Sequence, residues 1–170
     1  MNPEIHWIEG PWSGRLAILA RPRGGDWLED EVRGWERADL NVVVSLLIPD
    51  EDAHFHLDNE GELSRAHGLR FVSFPIPDRA VPGSLAATSA LVQDLERILA
   101  NGKNVGVHCR QGIGRSALIA ACVLVASDKE PSQAFELISV ARGLPVPETD
   151  EQREWVKAFA RELSAAVTRA

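Results

Sequence analysis

Tyrosine is missing from this 170-residue sequence, methionine occurs once and cysteine only twice. Without tyrosine the chain cannot itself be controlled by tyrosine phosphorylation. Cys109 and Cys122 are too few for a disulfide framework or a four-thiolate zinc site, so cysteine chemistry would rest on single thiols and a reducing compartment suits it. Positive charge is also in deficit: 18 Lys and Arg against 25 Asp and Glu leave a net charge of −7. Backbone binding of nucleic acid needs clustered cations, so this balance argues against a nucleic-acid partner and makes any anion site local. The longest apolar run, Ala117 to Ala126, is too short to span a bilayer. Met1 to Gly10 has neither a cationic start nor an apolar run and does not read as a signal peptide. The expected location is cytoplasmic.

What is present is ordinary soluble composition, 45% hydrophobic and 25% charged, in a chain long enough for one sizeable core. One domain over residues 1–170 is expected. Apolar, β-branched stretches predict strands at Asn41 to Leu47, Arg70 to Ile76 and Asn104 to His108. Ile5 to Ile8 and Arg15 to Leu19 form a leading hairpin around Gly10, Pro11, Ser13 and Gly14. Helical patterns cover Asp26 to Ala38, more weakly Glu60 to His67 after an acidic loop, then Ser84 to Ala100, Arg115 to Ser127, Pro131 to Arg142, and Thr149 to about Val167. The last opens with Thr149 and Gln152 spaced as a capping box. The alternation predicts an α/β fold: a central, mostly parallel mixed sheet of about five strands with helices on both faces.

Chemistry concentrates in His108-Cys109-Arg110-Gln111-Gly112-Ile113-Gly114-Arg115-Ser116, between a strand and the most apolar helix. A loop that opens a helix gathers backbone N–H groups without intrahelical partners, and the helix dipole adds positive potential. Gly112 and Gly114 allow positive φ and close approach to an anion. Arg110, Gln111, Gly112, Ile113 and Gly114 would offer amides to a phosphate, and Arg115 would return a forked guanidinium to two of its oxygens. The same environment favours the thiolate of Cys109, which is then the nucleophile. In-line attack on phosphorus would leave a covalent thiophosphate for water to hydrolyse. Ser116 is placed to bond the sulfur and ease its departure.

HCRQGIGRS resembles the HCxxGxGR signature, followed by serine or threonine, of the cysteine-dependent protein tyrosine phosphatases, especially their compact dual-specificity branch. ARPRGGDW near Ala20, VVVSLL, FPIPDRAVP and RGLPVPETDEQ look like segments of small bacterial members, in the family's order. The resemblance implies a mixed sheet flanked by helices with the loop at its carboxyl edge.

Such chemistry needs a proton donor for the leaving oxygen. Asp78 is the candidate, in the rigid turn Pro75-Ile76-Pro77-Asp78, at a spacing from the nucleophile that resembles dual-specificity members. Asp50, Asp52 and Asp58 stand next in line. His108 either tunes the thiolate or is simply satisfied at the end of a buried strand. Arg79 is either an aid to an acidic substrate or solvated. Glu148 and Gln152 resemble, imperfectly, a downstream glutamine loop of tyrosine-specific relatives, and the capping box accounts for Gln152 without catalysis. Cys122 reads as core packing; His54, His56 and His67 read as surface histidines without a metal. The five tryptophans are expected in or near the core.

Together these residues imply a metal- and cofactor-independent phosphatase. Its substrate is a phosphorylated protein, bearing phosphotyrosine and also phosphoserine or phosphothreonine, or else a phosphoinositide or other small phosphomonoester. A phosphoprotein-binding module without turnover, and thiol chemistry such as sulfur transfer or arsenate reduction, are the rivals. Oligomeric state is not encoded in any motif.

Overall fold

Four-residue apolar segments make the five strands seen among the described residues, 2–169 of a computed structural model: β1 Ile5–Ile8, β2 Leu16–Leu19, β3 Val42–Ser45, β4 Arg70–Ser73 and β5 Val105–His108. Their order is β1-β2-β5-β3-β4. β1 runs antiparallel to β2, with Ile5 opposite Leu19, while the β2–β5, β5–β3 and β3–β4 pairings are parallel. The expected mixed, mostly parallel sheet is therefore present. β4 ends earlier than expected, at Ser73: Phe74 N–H still donates to Ser45 O at 2.9 Å, but Ile76 N–H then meets Leu46 O at 3.0 Å, one residue out of register.

Successive side chains point to opposite faces of a strand, which divides the core in two. Leu16, Ile18, Val42, Val44, Val105 and Val107 face one layer, whereas Ala17, Leu19 and Val43 face the other. The second layer is covered by α1 (Leu28–Arg37), through Leu28, Val32 and Trp35, and by α3 (Glu60–Ala66), through Leu63. The first is covered by α4 (Leu85–Ala100), α5 (Arg115–Ala126), α6 (Pro131–Arg142) and α7 (Asp150–Arg169). α5 is apolar on all sides because it packs on β2 and β5 and also against α4, α6 and α7.

Several sequence expectations are refined. The supposed acidic loop after β3 contains a short helix, α2 (Pro49–His54). Proline opens it and Glu51 accepts the Ile48 N–H at 3.1 Å, a start signal that six residues are too few to reinforce by periodicity. The capping box of α7 is reciprocal: Thr149 N–H donates to Gln152 Oε1 and Gln152 N–H to Thr149 Oγ1, each at 3.1 Å. Trp27 departs from the expected burial, 57% exposed, with Arg23 over its ring. Cys122 is fully buried in α5, and burial pushes its thiol well above the usual range, as a packing role requires.

The turn that carries α4 into β5 depends on Gly14 at the end of the β1–β2 connection. Its N–H donates to Leu99 O at 2.9 Å, and a Cβ there would lie 2.0 Å from Lys103 O and 2.8 Å from Leu99 O. Backbone cannot yield as a side-chain tip can. Gly14→Ala is expected to cost about 2 kcal/mol or more, read as a lower urea midpoint at unchanged slope. An unaltered midpoint would show that this turn relaxes freely.

Candidate active site

β5 ends at His108 in the middle of the parallel strands, and α5 starts at Arg115, so residues 109–114 cross the carboxyl edge of the sheet. This edge is where open α/β sheets leave a crevice for ligands. Cys109 is 3% exposed, and its Sγ accepts the Gly112 N–H at 3.3 Å. With Arg110, Gln111, Gly114, Arg115, Asp78, Arg79 and Glu148, it lines a cleft of about 150 Å³.

The loop's amides are turned inward by side chains that pull its carbonyls outward. Arg142, at the end of α6, donates from Nη2 to Gln111 O at 3.3 Å and from Nε to Gly112 O at 2.9 Å, and Arg21 Nη1 donates to Arg110 O at 3.4 Å. A trans peptide holds C=O and N–H on opposite sides, so fixing these carbonyls aims the N–H groups of Gln111, Gly112 and Ile113 the other way. The Gly112 N–H does reach the sulfur. The sequence assigns no role to Arg21 or Arg142, although Arg21 lies in ARPRGGDW and Arg142 opens RGLPVPETDEQ, ahead of Gly143 as a helix-ending cation.

The two loop glycines serve different ends. Gly112 has φ +70°, as expected of a residue that must curl the loop. Gly114, contrary to expectation, has φ −120°. It is glycine because a Cβ there would lie 2.9 Å from Gln152 Nε2 and 3.2 Å from Glu148 Oε2. Gln152 is fully buried and its Nε2 also donates to Ala80 O at 3.2 Å, so it joins the head of α7 to both loops.

Arg115 is 1% exposed and heavily engaged. Its Nη1 and Nη2 grip Glu51 in a bidentate pair at 2.7 and 2.9 Å; Nη1 also donates to Ile76 O at 2.8 Å and Nη2 to Asp78 Oδ1 at 3.1 Å. Burial opposes charge on both members. For Glu51 the Arg115 hydrogen bonds and the Ile48 N–H outweigh it and hold the carboxyl below its usual range. For Arg115, Glu51, Cys109 and Asp78 outweigh it and raise the guanidinium. Glu51 is the main residue that the sequence reading missed; Pro49 followed by an acid two residues on was the available signal.

Asp78 stands at the mouth of the cleft, its side chain 44% exposed and 3.9 Å from Arg110. Of the aspartates weighed from the sequence, it is the one that lines the cleft; Asp50 and Asp58 are exposed on the surface near α2. Arg79, at φ +61°, pairs with Glu148 across the rim while its side chain stays 62% exposed to solvent. Ser116 Oγ is buried with no hydrogen-bond partner among the described residues, so the expected bond to sulfur is not formed here. His108 lies on the α1 and α3 side, bonded from Nε2 to the buried Glu60 at 2.6 Å and stacked on Trp35. His67 sits between Glu36 and Glu29, and His54 lies edge-on to Phe55.

Residues 19–129 match the family model described as polymorphic toxin system, DSP-PTPase phosphatase. The chain belongs to this family. A curated relative, cyclin-dependent kinase inhibitor 3 of Sus scrofa, is 30% identical over 117 residues, which cover 68% of this chain and 55% of the relative. The chain thus spans about half the length of the curated relatives that it matches. Kinase-associated phosphatase with its catalytic-site cysteine replaced by serine superposes with a TM-score of 0.88 at 22% identity, covering 97% of this chain and 98% of that one. Tk-PTP in its active form gives 0.77 at 27% identity, covering 95% and 99%. The DSP-PTPase fold read from the sequence is thereby supported over nearly the whole chain.

Two adjacent acids behind this DSP-PTPase loop respond to pH in opposite senses. Burial, reinforced by Glu60, raises Asp52 from 3.8 to about 6. A raised acid binds more protons folded than unfolded, so Asp52 weakens the fold progressively as pH climbs from about 4 through 6. Glu51, held low, contributes stability above its unfolded pKa that is lost as pH falls through its folded value. Asp52→Asn should therefore add about 1 kcal/mol at pH 8, after discounting for partial exposure, and nothing at pH 4. Thermal melts at both pH values test it; an equal gain at both would remove the titration account.

Proposed function

We propose that this chain is a metal-independent phosphomonoester hydrolase that acts on phosphorylated proteins, with dual specificity, through a cysteinyl-phosphate intermediate. The observation that carries this reading is the convergence of the Cys109 sulfur, the anchored Arg115 guanidinium and the inward N–H groups of residues 111–113 on one small cleft. In the first step the Cys109 thiolate forms a bond to phosphorus as the ester P–O bond breaks, and the protonated Asp78 carboxyl gives its proton to the departing oxygen. In the second, water attacks phosphorus, the Asp78 carboxylate takes its proton, and the S–P bond breaks to return the thiolate. Charge on the equatorial oxygens is met by loop amides and by Arg115. Ser116, whose hydroxyl has no other partner among the described residues, would supply a proton-bearing contact to the leaving sulfur.

A cleft of about 150 Å³, in a chain of 170 residues with little room for elements that would deepen it, supports phosphoserine and phosphothreonine alongside phosphotyrosine. A nucleophilic thiol must stay reduced, which supports residence in a reducing compartment, the cytoplasm.

Cys109→Ser is expected to keep phosphopeptide binding and lose nearly all turnover, whereas excess chelator leaves wild-type turnover intact. Comparable turnover by the serine variant would end the cysteine mechanism, and a metal requirement would point to another class. Asp78→Asn should slow leaving-group release from phenyl phosphates by about 10²–10⁴-fold and from strongly electron-poor aryl phosphates far less. Single-turnover rates across an aryl series measure this. Parallel dependences on leaving-group pKa in wild type and variant would remove Asp78 from the acid role.

A further inference from the structure

Of the arginines at the cleft, Arg79 is paired closely with Glu148 and Arg115 with Glu51, while Arg142 is spent on the loop carbonyls Gln111 O and Gly112 O. Arg21 and Arg110 are left without a close carboxylate. Arg110 reaches only Asp78, at 3.9 Å, and no carboxylate lies within ion-pair distance of Arg21 among the described residues. Both guanidinium groups lie over the Phe55 ring, at 3.6 Å for Arg21 and 5.4 Å for Arg110 from its centroid. Arg21 Nε is buried with no hydrogen-bond partner among the described residues. Burial and then the charge of Arg110 lower the pKa of Arg21, with Glu51 opposing. Two like charges thus share one aromatic platform beside the catalytic loop, at a cost that the ring face offsets only in part. An anion between them would remove it.

We propose that Arg21, Arg110 and Phe55 form a second anion subsite, which takes a phosphate or carboxylate near the scissile phosphoresidue of a peptide. This rests on the phosphatase reading for the scissile group. Arg110 follows Cys109 and lines the cleft, so the second anion lies roughly one or two residues along an extended peptide, ~3.5 Å each. Forked guanidinium groups suit either anion. A peptide meets only the rim, whereas an anionic bilayer would also face a chain of net charge −7. The subsite gives a use to Arg21 beyond steadying the Arg110 carbonyl.

The test is binding calorimetry on the Cys109→Ser protein. The ligands are three phosphotyrosine peptides that differ at one flanking position: phosphoserine, glutamate or glutamine. The phosphoserine peptide should bind about tenfold more tightly than the glutamine peptide, with glutamate between. Adding Arg21→Gln should bring that ratio near one, and Arg21→Lys should restore most of it. A role confined to loop support would weaken all three peptides alike and keep the ratio; that result, or a starting ratio near one, overturns the subsite. Phe55→Leu is a second variant should the Arg21 variants fail to fold, and an undiminished ratio in it is equally adverse. Tighter binding to anionic vesicles carrying a phosphoinositide than to the doubly charged peptide overturns the choice of peptide. Binding is read without turnover, so a wild-type chain inert on every ester would strike the phosphatase reading and leave the ratio to decide the subsite.

Discussion

The Arg115–Glu51 pair ties the site to the fold. A guanidinium that is almost wholly buried is costly unless its donors are met, and here a bidentate carboxylate, the Ile76 carbonyl and Asp78 meet them. Arg115 at the head of α5 thereby joins two other stretches, the first turn of α2 and the turn after β4. Their relative placement is set by one planar group. With Nη1 and Nη2 occupied, Nε–H is the donor of that side chain without a bond among the described residues. The charge of Arg115 is already shared with two carboxylates, so the amides must provide much of any attraction for a dianion.

That attraction is arranged from behind. Arg142 and Arg21 hold the carbonyls of residues 110–112 away from the cleft, and peptide geometry turns the corresponding N–H groups toward it. Gly112 permits the curl, and Gly114 admits the Gln152 amide and Glu148. A protein with a net charge of −7 can in this way keep a local anion site without a basic surface.

The surrounding layer carries a cost in stability. His108 and Glu60 are buried together, Asp52 is raised to about 6 beside them, and Glu60 Oε2, His108 Nδ1 and Ser64 Oγ have no hydrogen-bond partners among the described residues. Unmet buried polar atoms cluster where geometry serves chemistry before stability. The sheet and the apolar α5 beneath them are the stable platform that tolerates this.

What the residues alone determined is local. Val42 to Ser45 and Val105 to His108 reveal strands because burial on both faces demands unbroken apolar runs. Thr149 and Gln152 reveal a helix start, and Cys109 to Ser116 a strand-loop-helix anion site, because capping and loop curvature depend on neighbours in the chain. Only the tertiary structure decided the rest. Glu51 meets Arg115 across 64 positions, Arg142 meets Gly112 across 30, and Glu60 meets His108 across 48. Gly114, indistinguishable in the sequence from a residue of positive φ, is small for what packs against it. Charge pairs and close contacts of this kind follow from the path of the chain in space, and no spacing between letters records them.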